Sequence, residues 1–291
     1  MKIGCIGLGI MGKPMAKHFI NAGHDVYVYD VNEAAINELA QLGGHPATMQ
    51  MMAEQAEYII TSLPSGAIVK AVLYSGEDAL MAQPTINTKY VIDTSSITPN
   101  EALEIHKMLE EVNVQYCDAP VSGGEPLAIT GELAVMIGCD AQVLGTVKTV
   151  LAPVSASVIR VGDVGAGSVV KLANQIIVNT NIVALSEAVV LAKKFDIQLQ
   201  DMFDAIRGGL AGSAVMEAKF PKMIAEDYAP GGTININYKD LKNVMMTADT
   251  VNLALPVANM VKEMYKAEVA SDHGMNDHSG VIKYIENINQ L

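Results

Sequence analysis

Arginine and cysteine are scarce in this 291-residue sequence, and each scarcity excludes a class of function. There are two arginines, Arg160 and Arg207, and the net charge is −13 at pH 7. Because nucleic acids and anionic membranes are bound through basic surfaces, we expect neither as a partner. The three cysteines, Cys5, Cys117 and Cys139, form no CxxC pattern. Such scattered cysteines are typical of reduced core thiols, and they predict a cytoplasmic protein.

We also expect neither a targeting segment nor a membrane segment. The first residues enter a predicted strand directly, without the basic and apolar regions of a signal peptide. The most apolar stretch, 167–194, is interrupted by Lys171 and by several Asn, Gln, Thr and Ser residues, so we expect no membrane span. Half of the residues are hydrophobic and 18% are charged. This composition predicts a long apolar helix covered by a second subunit, in a homodimer or homotetramer.

The first thirty residues have the pattern of a dinucleotide-binding unit. A short apolar strand is followed by GLGIMG at 7–12, a helical pattern, and a second strand that ends at Asp30. The glycines permit a tight turn and a close approach of the backbone to a pyrophosphate. Asp30 would accept hydrogen bonds from the adenosine ribose hydroxyls, and no arginine at 31–35 could attract a 2′-phosphate. The sequence therefore predicts NAD, with NADH preferred over NADPH.

Strands and helices continue to alternate as far as about residue 162. The predicted strands are 58–63, 90–93, 115–118, 133–137 and 157–161, with helices at 101–111 and 143–151. This alternation predicts an α/β fold with a doubly wound, Rossmann-type sheet. Ligands of such sheets bind at the carboxyl ends of the strands. The predicted cofactor contacts are Gly7, Leu8, Gly9, Ile10, Met11, Gly12, Asp30, Val31, Asn32, Leu63, Pro64 and Ser96, with Ser95 as an open alternative to Ser96.

The second half of the chain has a different character. Long helical patterns replace the strands, at 167–194, 199–207, 213–226, 238–252 and 256–270. We therefore predict two domains: a dinucleotide-binding Rossmann domain at 1–163, and an all-helical domain for substrate binding and dimerisation at 164–291. The long apolar helix joins them.

Lys171 lies where a structural helix has little use for a charge. The segment around it, GSVVKLANQIIVN, is apolar on nearly every side. Burying an unpaired ammonium is costly unless it is neutralised, paired or facing a polar cleft. Helical spacing gives Lys171 the same face as Asn174 and Gln175. The segment alone leaves two interpretations: a lysine that extends to the surface, or a proton donor or anion clamp in a cleft.

Residue types that bind metals occur close together near the end of the chain. His273, Asp277 and His278 lie in SDHGMNDHSG. We favour a polar loop with a helix cap at Asp277 or Ser279, and predict no metal.

Four segments, in this order, resemble the β-hydroxyacid dehydrogenases, the relatives of 3-hydroxyisobutyrate dehydrogenase. They are GLGIMGKPMA at 7–16, DAPVSGG at 118–124, GAGSVVKLANQ at 165–175 and NYKDLKN at 237–243. The resemblance runs the full length of the chain. It implies a Rossmann domain, a helical domain and an NAD-linked oxidoreductase acting on a small carboxylate.

The resemblance also implies roles for individual residues. Lys171 would be the catalytic residue, because an ammonium stabilises and protonates the alkoxide left after hydride transfer. The implied substrate contacts are Ser122, Gly123, Gly124, Asn174 and Gln175. Lys239 would close over the cofactor, although by residue type alone Lys239 and Asp240 indicate a solvated pair at a helix start.

Three shorter segments indicate a substrate within the family. AIRGGLAGS at 205–213, GGEP at 123–126 and DHS at 277–279 imply reduction of tartronate semialdehyde (2-hydroxy-3-oxopropanoate) to D-glycerate. Other 3-hydroxy acids or semialdehydes, such as 3-hydroxyisobutyrate and the methylmalonate and succinate semialdehydes, stay open, because one methylene changes discrimination by only about 1–3 kcal/mol. A sugar phosphate is disfavoured by the lack of a basic cluster. A non-catalytic NAD-binding scaffold is the alternative of another class, and the presence of Lys171 argues against it.

Overall fold

The computed structural model describes residues 1–75, 78–229 and 231–290. Contacts divide the chain into two compact units, 1–171 and 172–291. A single helix contains the residues on both sides of that division. The predicted domain boundary between residues 163 and 164 stays a prediction.

The first unit alternates strands and helices. Its strands, within the described residues, are β1 (Lys2–Ile6), β2 (Asp25–Tyr29), β3 (His45–Pro46), β4 (Tyr58–Thr61), β5 (Tyr90–Asp93), β6 (Gln115–Asp118), β7 (Val121–Ser122), β8 (Leu133–Gly138) and β9 (Ser155–Gly162). Its helices are α1 (Gly12–Asn21), α2 (Glu33–Gln41), α3 (Met49–Gln55), α4 (Gly66–Tyr74), α5 (Pro99–Glu110), α6 (Gly124–Thr130) and α7 (Leu144–Leu151). Short 3-10 turns occur at Leu80–Ala82 and Ala152–Val154.

One sheet contains these strands, in the order β3-β2-β1-β4-β5-β6-β8-β7, with β9 paired to β8. The pairs from β3 to β6 are parallel, whereas β8 runs antiparallel to β6 and to β7. Two buried apolar clusters are built on the sheet; Ile3 and Val26 belong to one, and Ile59 and Val91 to the other. The carboxyl ends of β1, β2, β4, β5 and β6 therefore share one edge, and the predicted α/β Rossmann-type sheet is confirmed.

Strand positions follow the predictions closely. The strand predicted at 58–63 ends at Thr61, because an apolar alternation does not distinguish the last paired residue from the loop that follows. The helix predicted at 101–111 begins at Pro99, where Thr98 and Glu101 form a capping box. All three cysteines are buried and free.

The second unit is helical. Helix α8 (Ala166–Lys194) enters it from the first unit, and α9 (Leu199–Ile206), α10 (Ala214–Ala225), α11 (Ile234–Thr250), α12 (Pro256–Ala270), a 3-10 turn (His278–Val281) and α13 (Ile282–Ile288) follow. Its core includes Ile182, Phe220, Leu241 and Tyr265. The helical character predicted for this half of the chain is confirmed.

Helix α11 begins four residues earlier than predicted. The side chain of Thr233 accepts a hydrogen bond from the Ile236 N–H and caps the helix there. Lys239 and Asp240 therefore lie inside α11, and Asp240 is only 1% exposed. Their interpretation as a solvated pair at a helix start was wrong.

Helix α8 is more apolar than its scattered polar residues indicated. By length and composition its 29 residues suffice to cross a membrane, with a mean hydropathy of 1.5 over the most apolar window. The expectation that its polar residues exclude such a span by composition was wrong. Half of that window is buried inside the protein, as in the core helix of a globular protein.

Candidate active site

The glycine-rich turn connects β1 to α1. The Gly7 N–H donates to the Tyr29 carbonyl oxygen at 3.0 Å, which joins the turn to the end of β2. A Cβ at Gly12 would lie 1.9 Å from the Gly7 carbonyl oxygen, so only glycine fits there. A Cβ at Gly9 would meet no atom within 4 Å. The turn is thus closely packed at Gly12 and open at Gly9. A pyrophosphate can approach the backbone closely only at such an open position.

Asp30 lies directly after β2, beside this turn. Its carboxylate accepts hydrogen bonds from the Leu8 N–H and, at 2.8 Å, from the Asn32 N–H. Asn32 in turn caps α2, and Val31 is 94% exposed. The turn and the acidic residue predicted to bind the ribose are therefore held together by direct hydrogen bonds. This arrangement fits a dinucleotide.

A buried carboxylate, Asp93, ties the next strand ends together. It accepts hydrogen bonds from the Thr61 hydroxyl at 2.8 Å, the Ser95 N–H at 2.9 Å and the Tyr116 hydroxyl at 3.1 Å. The Ser95 hydroxyl accepts from the Leu63 N–H at 2.9 Å. Burial raises the pKa of the Asp93 carboxyl, and these hydrogen bonds oppose the rise. The Asp93 side chain thus links the ends of β4 and β5 to Tyr116 of β6.

The predicted nicotinamide contacts lie in these loops. Ser95 is buried, whereas Ser96 is partly exposed and Pro64 is exposed. Leu63 is also partly exposed, so the predicted cofactor contacts Leu63, Pro64 and Ser96 are all accessible. Ser96 stays the predicted ribose contact.

Asp118, at the end of β6, holds the start of α8. Its two carboxylate oxygens accept hydrogen bonds from the Gly165 N–H at 2.8 Å and the Ser168 N–H at 2.7 Å. The carboxyl is 1% exposed. Burial raises its pKa, and the two backbone donors oppose the rise. The first turn of α8 is therefore fixed to a strand end about fifty residues earlier in the chain.

Lys171 follows one turn later on α8. Its Nζ donates a hydrogen bond to the Val121 carbonyl oxygen at 2.8 Å. Val121 and Ser122 form β7, the middle of the segment predicted to bind substrate. The ammonium is thus held against that segment, and the interpretation of Lys171 as a residue extending to the surface is disfavoured.

A sharp turn follows Ser122. Gly123 has φ +131°, a conformation that residues with a side chain rarely adopt, and a Cβ there would lie 2.7 Å from Leu127. Ser122 is partly exposed, and both Gly123 and Gly124 are exposed. The structure therefore brings three of the predicted substrate contacts close to the carbonyl group that accepts from Lys171.

The other two predicted substrate contacts belong to a buried polar network of the second unit. Gln175 is 7% exposed, and its Nε2 donates to Asp240 Oδ2 at 2.6 Å. Its Oε1 accepts from Asn174 Nδ2 at 2.9 Å. The second carboxylate oxygen of Asp240 lies 2.9 Å from Lys239 Nζ. Sequence reasoning missed Asp240 as a member of this network, because an acid beside a lysine in a polar segment normally indicates an exposed pair.

The late polar cluster is structural. Asp277 caps the turn His278–Val281 through the Ser279 N–H and forms a buried ion pair with Lys219, 2.9 Å from Nζ. Burial raises the pKa of the Asp277 carboxyl, but the charges of His278 and Lys219 and the Ser279 hydroxyl outweigh it and hold the pKa at about 2. Among the described residues, no group of His, Cys, Asp and Glu is arranged to hold a metal ion. Of the two predicted caps, Asp277 is the correct one.

Comparison with known proteins identifies the family. Residues 2–162 match the NAD binding domain of 6-phosphogluconate dehydrogenase, and residues 165–285 match the NAD-binding family of NADP-dependent 3-hydroxyisobutyrate dehydrogenase. The 2-hydroxy-3-oxopropionate reductase of Escherichia coli is 35% identical over 98% of this chain and 97% of its own. The chain belongs to the β-hydroxyacid dehydrogenase family.

Two further relatives of this dehydrogenase differ in substrate. The 2-(hydroxymethyl)glutarate dehydrogenase of Eubacterium barkeri is 34% identical over 98% of this chain and 95% of its own. A solved 3-hydroxyisobutyrate dehydrogenase of Mycobacterium tuberculosis, studied with L-serine, is 30% identical with a TM-score of 0.87, covering 98% of this chain and 99% of that one. The resemblance, the fold class and the oxidoreductase class predicted from the sequence are confirmed, as is a nicotinamide cofactor.

Two site residues of this dehydrogenase, Asp93 and Asp118, escaped sequence reasoning. Each is the buried last residue of its strand, YVID or QYCD. An acid at that place was the available signal, since a buried strand end on the ligand-binding edge seldom carries a charge without a partner. The partners themselves lie far away in sequence.

Proposed function

We propose that this dehydrogenase uses NADH to reduce tartronate semialdehyde to D-glycerate, with Lys171 as the general acid. The observation that carries the proposal is the hydrogen bond, 2.8 Å long, from Lys171 Nζ to the Val121 carbonyl oxygen. It fixes the ammonium beside Ser122 and the exposed backbone of Gly123 and Gly124. A charged donor next to a small polar segment suits an anionic substrate with a reactive carbonyl.

The chemistry requires little else from the protein. When bound, the nicotinamide cofactor supplies a hydride to the aldehyde carbon. The electron pair of the C=O bond then moves to oxygen, and Lys171 stabilises this alkoxide and donates the proton that completes the alcohol. Ser122 and the N–H groups of Gly123 and Gly124 hold the substrate carboxylate. A small carboxylate held in this way needs no arginine.

The cofactor preference that we propose rests on Asp30. Its carboxylate is held beside the glycine-rich turn by the Leu8 and Asn32 N–H groups, and a carboxylate that binds the ribose hydroxyls would repel a 2′-phosphate. Residues 31–35 include no arginine. NADH is therefore preferred over NADPH.

The second candidate is reduction to 2-(hydroxymethyl)glutarate, and the relative of that name at 34% identity supports it. That product has a second carboxylate, which favours an arginine partner. Both arginines of this chain already pair with acids, Arg160 with Asp163 and Arg207 with Glu217. The three-carbon substrate, with one carboxylate, is therefore preferred here.

We also propose a cytoplasmic homodimer or homotetramer. Helix α8 exposes Val169, Ile177 and Leu191, each at least half accessible, and apolar side chains exposed along one long helix are typical of a covered interface. The buried free thiols are compatible with a reducing compartment.

The first test compares the protein with Lys171→Met, which removes the ammonium and keeps the length of the side chain. We expect kcat for NADH oxidation with tartronate semialdehyde to fall at least about a hundredfold. The matched control is Lys89→Met, since Lys89 is a 67% exposed lysine that pairs with Glu57. Equal rates for the wild type and Lys171→Met would refute the catalytic role. A wild type inactive on every substrate offered would revive the scaffold interpretation.

A substrate series then tests the specificity. Initial rates are measured with tartronate, methylmalonate and succinate semialdehydes, and in the oxidative direction with D-glycerate, 3-hydroxyisobutyrate and 2-(hydroxymethyl)glutarate. We expect kcat/KM to be at least about tenfold higher for the tartronate semialdehyde and D-glycerate pair, which corresponds to about 1.4 kcal/mol. A higher value for another pair would move the enzyme to that activity and leave the role of Lys171 intact.

A further inference from the structure

The side-chain amide of Gln175 is fully engaged by its neighbours in the helical unit. Its Nε2 donates to Asp240 Oδ2 at 2.6 Å and, more weakly, to Asn237 Oδ1 at 3.4 Å. Its Oε1 accepts from Asn174 Nδ2 at 2.9 Å. Gln175, Asn237 and Asp240 are each less than 8% exposed, whereas Asn174 is partly exposed. Of the two adjacent amides on α8, a small molecule can therefore reach Asn174 and not Gln175.

The chemistry of Asp240 fixes the orientation of both amides. A carboxylate only accepts hydrogen bonds, and the Asp240 carboxylate is paired with the Lys239 ammonium at 2.9 Å. Gln175 must therefore direct its NH2 group to Asp240, which turns its oxygen to Asn174. Asn174 must in turn direct its NH2 group to that oxygen. The amide oxygen of Asn174 consequently points away from Gln175.

We propose that Gln175 is a positioning residue that transmits the orientation imposed by Asp240 to Asn174, so that Asn174 presents an oxygen acceptor to a substrate hydroxyl. This rests on the proposed function and names its substrate class: hydroxy acids with a hydroxyl group on the carbon next to the carboxylate. It replaces the expectation that Gln175 itself contacts the substrate. A methyl group at that carbon would shield the Asn174 oxygen from water without giving it a donor, and an acceptor left unpaired in this way is costly.

The test is a double-mutant cycle with Asn174→Ala and Gln175→Met, which keeps the length of the glutamine and removes its hydrogen bonds. For each variant in the presence of NADH, with which neither alcohol can react, the dissociation constants of D-glycerate and 3-hydroxypropionate are measured. These ligands differ by the one hydroxyl group. We expect Gln175→Met to weaken D-glycerate binding about tenfold and 3-hydroxypropionate binding less than about twofold. In the Asn174→Ala background, Gln175→Met should add no further loss for D-glycerate.

Three outcomes would overturn this role. Additive losses would mean that Gln175 contacts the substrate itself, and equal losses for both ligands would mean that it only supports the fold. A wild type that reduces tartronate semialdehyde but binds the two ligands equally would also refute the role of the Asn174 oxygen, with the proposed function intact. A wild type that reduces none of the semialdehydes would refute the proposed function itself. If Gln175→Met does not fold, Asp240→Asn is the second variant. Asparagine has nearly the same shape as aspartate but can also donate, so it no longer fixes the orientation of Gln175 and Asn174. It should therefore also reduce the preference for D-glycerate over 3-hydroxypropionate.

Discussion

Replacing Asp118 by asparagine should loosen the first turn of α8 and, with it, the position of Lys171. The wild-type carboxylate accepts from two backbone donors, the Gly165 and Ser168 N–H groups at 2.8 and 2.7 Å. An asparagine offers one acceptor oxygen, and its NH2 group would face the other donor. One buried N–H group would therefore lose its partner.

The expected cost can be worked from these contacts. An unsatisfied buried donor costs about 1–3 kcal/mol, and the loss of a negative charge at a helix start adds about 0.3–1 kcal/mol. Against this, burial raises the pKa of Asp118, so the ionised carboxylate carries a desolvation cost that asparagine avoids. We estimate a net local destabilisation of about 2 kcal/mol. That corresponds to a roughly 30-fold loss of hydrogen-exchange protection, because each tenfold step is about 1.36 kcal/mol.

The assay is hydrogen exchange followed by mass spectrometry on peptides that contain residues 163–171. Asp163→Asn is the matched control, since Asp163 lies in the same segment but its side chain is 90% exposed and pairs with Arg160 at the surface. An exposed pair contributes at most about 1 kcal/mol, so protection should fall less than about fivefold. Unchanged protection in Asp118→Asn, or an equal loss in the control, would refute the reasoning. We further expect kcat to fall more than the affinity for NADH changes, because Lys171 is displaced while the glycine-rich turn is untouched.

Three further predictions concern the cofactor and the pH dependence of stability. Gly9→Ala should leave the free energy of unfolding within about 0.5 kcal/mol of the wild type, because the added Cβ meets no atom within 4 Å, but it should raise the Kd for NADH at least about tenfold. The control is Gly145→Ala, at an equally open glycine, which should leave that Kd unchanged. Normal NADH binding by Gly9→Ala would contradict the pyrophosphate site. Asp30→Asn should raise the Kd for NADH and lower that for NADPH, and fluorescence titrations that give an unchanged ratio of the two constants would rule out Asp30 as the selecting residue. The Asp277 carboxyl has a pKa of about 2 against an ordinary 3.8. Above pH 4 it therefore adds about 2 kcal/mol to the free energy of unfolding, and this contribution is lost as the pH falls towards 2. Urea unfolding at pH 5 and pH 2.5 should show a smaller acid loss in Asp277→Asn, and identical acid losses would exclude this ion pair as the source.

The sequence was sufficient to predict features whose residues lie close together in the chain. An apolar strand, three spaced glycines and an acid at the next strand end define the dinucleotide half, because each requirement falls within thirty residues. Lys171 was equally visible, since a charge inside an apolar helix is conspicuous whatever the helix contacts.

Contacts between segments that are distant in the chain could not be predicted from the sequence. The carbonyl oxygen that accepts from Lys171 belongs to Val121, fifty residues earlier, and the carboxylate that orients Gln175 is sixty-five residues later. An acid such as Asp240 has the same local pattern whether it is solvated or buried. Only the packing of α8 against α11, which the pattern of neither helix specifies, decides between the two.

The hydrogen bonds of Asp93 and Asp118 also bear on how such an enzyme acquires a new substrate. Each carboxylate joins a strand end to segments far away in sequence, so a mutation at these loops disturbs several neighbours at once. Substitutions that change the substrate are then more easily tolerated at side chains that make none of these hydrogen bonds, such as Ser122 and Asn174, than at the strand ends themselves. The sheet can thus stay unchanged while a few accessible side chains of the site are substituted as related enzymes diverge.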